Sequence, residues 1–230
     1  MALVRAGALV GQISGSIGSN TFSRNRYGAY VRNRTVPITS TTQAALEAKN
    51  RLTAASQAWG ALTSTQHLNW ETWAQNNPIT NRLGEARVLQ GNAAYVELNT
   101  RILRLAGAQI SEPPSADAPD ALLTAVVTYD IGLGGTDITF TGTPLAAGVH
   151  LWAYFAVMNS DGINYFENLY KLAETGAAAQ ASPLDYLAAV EARFGTLVVG
   201  QKVAWKIATA DSATGLISSF LVGSGNIITT

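Results

Sequence analysis

The sequence predicts an α+β protein: an extended N-terminal arm over residues 1–38, a small helical segment over 39–110, a linker at 111–120, and a C-terminal β-sandwich with one inserted helix over 121–230. Three observations predict it. Arg24, Arg26, Arg32 and Arg34 crowd a glycine-bearing stretch that precedes the first acidic residue, Glu47. Bulky apolar residues then recur at helical spacing as far as Leu105. Beyond the proline-rich SEPPSADAPD at 111–120, the pattern turns to short β-favouring runs separated by Gly, Asp, Asn and Pro.

The totals narrow the classes of function. An apolar share of 47% over 230 residues suffices for a real core, while only 13% of residues are charged. The net charge is zero, yet residues 1–111 hold 11 basic and 4 acidic groups and residues 112–230 hold 4 basic and 11 acidic ones. Halves of opposite sign point either to an acidic partner for the first half or to a homo-oligomer in which one copy's first half meets another's second. The absence of cysteine removes disulfides and thiolate metal sites, and His67 and His150 stand far apart, so no metal or other cofactor is expected. Residues 1–10 lack the apolar run of a signal peptide, and no stretch approaches the roughly 20 apolar residues of a membrane span.

Taken in order, the arm mixes Gly7, Gly11, Gly15, Gly18 and Gly28 with serine and asparagine, a composition that gains order by meeting a partner. Phe22, Arg24, Arg26, Tyr30, Arg32 and Arg34 share one parity, so a single extended strand or β ribbon would project all four arginines from one face toward carboxylates or phosphates. A helix is expected from Gln43 to about Trp59, closed by Gly60. Thr63 with Gln66 forms a capping box that opens a second helix through about Gln75. The third, 91–106, carries Tyr95, Leu98, Ile102 and Leu105 on one stripe, with Gly107 as its C′ residue. Strands are expected at 122–129, 137–142, 149–158, 165–172, 202–208 and 216–222. The inserted helix has Ser182 as cap, Pro183 in its first turn, and Leu184, Leu187, Val190 and Phe194 as its stripe.

Candidate chemistry is sparse. The glycines of GLGG at 132–135 lead into another strand, and so mark a hairpin turn instead of a phosphate loop. Asp161–Gly162 reads as a hairpin turn between the strands at 149–158 and 165–172. His67 and Glu71, one helical turn apart, suit a surface hydrogen bond better than an acid–base pair. Trp152 and Tyr154 alternate along one strand and offer a ladder on which a glycan could stack, against the simpler reading of cross-strand packing. The carboxylates from Glu112 to Glu191 show no spacing that marks two for a shared cleft, so no enzyme is expected. The second helix has no Arg or Lys and does have Glu71, which argues against a groove-reading element, although the arm could still touch nucleic-acid phosphates.

The segments GQISGSIGSNTFSRNRYGAYVRNRTVP, ASQAWGALTSTQHLNWETWA and NPITNRLGEARVLQGNAAYVELN, within residues 7–110, resemble a group of proteins encoded by bacteriophages and prophages. The shared features are a glycine stretch with a repeated Arg-x-Arg arm, a tryptophan-bearing helix pair, and a further helix with Asn99 near its middle. By strand count and alternation the C-terminal part resembles a fibronectin type III or immunoglobulin-like module. The resemblance implies a virion protein, made in the bacterial host cytoplasm: a capsid decoration, minor capsid or head–tail connector-region component with other virion subunits as partners. It brings no catalytic residues. A host-surface or glycan-binding module and an arm on packaged nucleic acid are the alternatives, and no membrane partner is expected.

Overall fold

A computed structural model describes residues 2–3, 13–25, 28–35, 42–80, 84–132 and 135–229. Helices and antiparallel sheets are both present, so the fold is mixed α+β. The chain divides into two compact units, Met1–Leu46 and Glu47–Thr230.

The first unit is a sheet instead of a single extended arm. Strands β1 (Ala2–Leu3), β2 (Gly15–Ile17), β3 (Asn20–Asn25) and β4 (Gly28–Asn33) form an antiparallel sheet in the order β1-β4-β3-β2. Ile17 pairs with Asn20, so the β2–β3 turn has two residues, and Gly18 supplies the positive φ (60°) that its first position favours. β3 and β4 pair from Asn20↔Asn33 through Phe22↔Val31 and Arg24↔Ala29 to Asn25↔Gly28. Each pair joins an even to an odd residue, which matters below.

Helices α1 (Gln43–Trp59), whose first four residues precede the division, and α2 (Ser64–Asn76) end where expected, and Thr63 and Gln66 form the reciprocal capping box. A two-residue ribbon, β5 (Ile79–Thr80) with β6 (Ala86–Arg87), leads to α3 (Gly91–Arg104). Trp70 and Ala74 of α2 pack on Ala94, Tyr95 and Leu98 of α3, and Trp70 stands edge-on to Tyr95 at 5.2 Å. The helices meet so closely at Gly91 that a Cβ there would press on the Glu71 backbone. Asn99 is fully buried and satisfied: its Oδ1 accepts from the Ile110 N–H at 2.9 Å, and its Nδ2 donates to the carbonyls of Tyr95 and Ile110.

The remaining strands are β7 (Ala125–Val127), β8 (Asp137–Phe140), β9 (Val149–Met158), β10 (Lys171–Thr175), β11 (Leu184–Asp185), β12 (Lys202–Asp211) and β13 (Leu221–Asn226), with α4 (Leu187–Phe194) between β11 and β12. They form a four-stranded sheet, β10-β9-β12-β13, and a three-stranded one, β11-β8-β7. Side chains from both sheets enter one core: Val127, Ile138 and Phe140 from the smaller, and Leu151, Phe155, Val203, Trp205 and Ile207 from the larger, joined by Tyr186 and Val190. On the edge strand β13, Gly223 and Gly225 leave room for the rings of Trp205 and Tyr129, and the Trp205 indole donates to the Tyr129 hydroxyl at 2.7 Å.

Several expected boundaries move. Residues 165–170 belong to the β9–β10 connection, which contains a 3-10 turn at Glu167–Leu169, so Asp161–Gly162 turns within a long loop and not in a tight hairpin. Pro183 does not open the inserted helix, because Leu184–Asp185 pairs with β8 and α4 begins at Leu187. GLGG does lie between the paired strands β7 and β8, with residues 133 and 134 of its tip outside the described residues. The proline-rich segment does not separate two units. Trp70 Nε1 donates to the Ser111 carbonyl at its start, and Thr209 Oγ1 donates to the Asp120 carbonyl at its end.

Candidate functional site

Residues 13–35 supply the candidate site. None of the described side chains there is buried, and Ile17 is 70% exposed. A sheet none of whose described side chains is buried is unusual, because a sheet gains most of its stability by covering one side. Directly paired residues share a face and successive residues alternate, so Phe22, Arg24, Ala29 and Val31 lie on one side while Thr21, Ser23, Tyr30 and Arg32 lie on the other. The single cationic face expected from parity is therefore split between the two sides. Doubling the chain back with an even-to-odd register reverses the parity that one continuous strand would keep. Arg24, Arg32 and Arg34 are exposed, and Phe22 and Tyr30 are half-buried. Arg34 lies just past β4, where its N–H donates to the Ser19 carbonyl at 2.6 Å. Arg26 lies outside the described residues.

The structure separates the roles of the two aromatic candidates. Trp152 is 3% exposed and packs with Leu105 and Ala210, so neither of its faces is open for a sugar to stack on. Tyr154 is half-buried, and its ring already faces a cation: Lys206 Nζ lies 5.3 Å from its centroid, 4.7 Å from that of Tyr170 and 5.5 Å from that of Phe220. Glu167 accepts a hydrogen bond from the same ammonium at 3.1 Å. Burial, with the nearby Glu167 charge, pushes the Tyr170 hydroxyl's pKa up. The lysine occupies a cage that the sequence did not reveal, although Lys206 within the apolar run VAWKIATA hints at one.

The other candidates resolve into structural roles. His67 Nε2 lies 3.0 Å from the Trp59 carbonyl with its ring against Trp59 at 4.3 Å, while Glu71 accepts from the Gly91 N–H at 2.7 Å and thereby caps α3. The two do not meet as an acid and base. His150 Nδ1 lies 2.9 Å from the Gly176 carbonyl. Asp185, Glu191 and Asp211 accept backbone N–H groups at turns and helix ends. Among the described residues no three His, Cys, Asp or Glu side chains gather as a metal site, and no helix is long and apolar enough to cross a membrane.

None of the protein-family models, curated proteins or solved structures compared with the chain matches it.

Proposed function

We propose that the protein is a non-enzymatic structural component of a bacteriophage particle, a capsid-decoration, minor capsid or head–tail connector-region protein, anchored to neighbouring subunits through its N-terminal unit. The observation that carries this reading is that residues 1–46 form their own sheet, bear five arginines and no acidic residue, and bury none of the described side chains of 13–35. A sheet of this kind is completed by a partner. Arginine forks favour carboxylates, and residues 47–230 carry 15 acidic groups against 10 basic ones, so another copy of the chain or a similarly acidic virion subunit suits it. Two antiparallel sheets sharing one core support the reading of residues 121–230 as an immunoglobulin-like or fibronectin III-like sandwich. With Trp152 buried and Tyr154 facing Lys206, the glycan-binding alternative loses the pair that suggested it.

The test is incorporation into particles, or self-association of the purified chain, with and without residues 1–46. Loss of both on truncation, and weakening of the intact protein's association as salt rises through about 0.15 M, are expected. Unchanged incorporation of the truncated chain would overturn the reading. A steep salt-dependent affinity of the N-terminal unit for DNA, absent for acidic protein partners, would assign the arginines to phosphates instead.

A further inference from the structure

Within residues 47–230, Arg51, Arg101 and Arg104 line one open depression of about 350 Å³, together with Trp152 and the apolar Leu52 and Leu172. No carboxylate lines it. Two of the three cations have carboxylates beside them: Arg51 lies 3.9 Å from Glu47, and Arg101 is held by Glu97 while also reaching the Gly215 carbonyl. Arg104 makes no ion pair among the described residues, and its Nε is buried without a hydrogen-bond partner. Trp152 is 97% buried, and its Nε1 is, among the described residues, the other side-chain polar atom in this condition. Two of the residues that line the depression therefore each bury a donor with no acceptor, a costly arrangement unless an acceptor is supplied. The charge is only partly compensated: burial first, then the positive Arg51 and Arg193, pull the Arg104 pKa down, opposed by Tyr154 and Glu47.

We propose that this depression is an anion site that takes a compact oxyanion, a phosphate or carboxylate group, received by Arg104 and the Trp152 indole N–H. Such a group supplies both what Arg104 lacks, a counter-charge, and what the two donors lack, an acceptor. An arginine fork and an indole N–H are donors only, so the site selects an acceptor-rich anion and rejects cations and hydroxyl donors. Both atoms are shielded from solvent in the structure, so the long Arg104 side chain must shift for the anion to enter. Thr100 also lines the depression, but its hydroxyl already donates to the Glu97 carbonyl at 2.9 Å, leaving the arginine and indole as the open donors.

The experiment is a titration of the ¹⁵N-labelled full-length protein with inorganic phosphate and, separately, with succinate, at ionic strength held constant with sodium chloride. The indole N–H resonance of Trp152, assigned with Trp152→Phe, is expected to move and saturate, with a Kd of about 1 mM or tighter for the better anion and a matching rise in melting temperature. Which of the two saturates at lower concentration distinguishes phosphate from carboxylate. Arg104→Met removes the response, and without added anion it melts no lower than the parent because it deletes a half-buried charge that makes no ion pair among the described residues. Arg104→Lys keeps the charge but loses the fork, and weakens binding by about tenfold. A resonance that shows no saturable shift with either anion, or that responds undiminished in both Arg104 variants, would overturn the proposal.

Discussion

The C-terminus of α3 shows how a single position misleads and then informs. The sequence offers Gly107 as the residue that stops the helix, but the left-handed position is held by Ala106, at φ 57°. The Gly107 N–H bonds the Ile102 carbonyl at 2.9 Å and the Ala106 N–H bonds that of Leu103 at 3.4 Å, the paired closure of a Schellman motif. Gly107 is required for a different reason: a Cβ there would collide with the Ser212 carbonyl and Ile102. Two variants with opposite signs follow. Ala106→Gly, at an exposed site, relieves the left-handed Cβ at some cost in chain entropy and raises stability by about 0.5 kcal/mol, whereas Gly107→Ala lowers it by about 2–3 kcal/mol in denaturant melts. Tyr186 makes a pH prediction. Its hydroxyl donates to the Thr128 carbonyl at 2.5 Å, and burial, helped by Tyr129, Asp185 and Asp137, raises its pKa. A hydroxyl that holds its proton more tightly folded than unfolded contributes stability below its unfolded pKa, about 10, and loses it as pH climbs from there toward the folded value. Tyr186→Phe should therefore lose about 1 kcal/mol at pH 7 and show a shallower loss of stability above pH 10 than the parent.

At the scale of elements, legibility followed the strength of local chemistry. α2 was readable to within a residue because Thr63 and Gln66 satisfy each other's backbone partners, and Thr63→Ala is expected to cost about 1 kcal/mol by thermal melting. The stripe of Tyr95, Leu98, Ile102 and Leu105 was readable because all four are buried on the side predicted. β10 was misplaced because Tyr165 and Phe166 favour strands as strongly as Leu172 does, while pairing with β9 starts only at Lys171. Pro183 misled for the same kind of reason. Its preference for a first helical turn is local, and the pairing of Leu184 with Ile138 overrode it. The depression around Arg104 was invisible in sequence, since it brings Arg51, Arg104 and Trp152 together from distant stretches.

For the whole molecule, the readable change of composition at 111–120 is not where the chain divides. Proline and acidic residues there suggested a free linker, but its ends are hydrogen-bonded to α2 and β12, and Gly107 and Gly215 bring α3 and the β12–β13 connection into close contact. The division falls instead near residue 46, a few residues past the expected end of the arm at 38 and next to Glu47, the first acidic residue. Residues 47–230 alone are therefore expected to fold with the melting temperature of the parent within a few degrees, while a cut at 111–120 would part Leu105 from Trp152 and Ala210, and the fragments would aggregate. Differential scanning calorimetry of the two fragments checks both. The register of β3 and β4 carries a final consequence. With Arg24 on one side of the sheet and Arg32 on the other, the proposed anchoring role would make residues 1–46 bivalent, a mortar between two acidic surfaces more than a glue for one. The stoichiometry of a saturated complex with an acidic partner should then approach two partner surfaces per sheet, and Arg24→Glu and Arg32→Glu should each remove one of them.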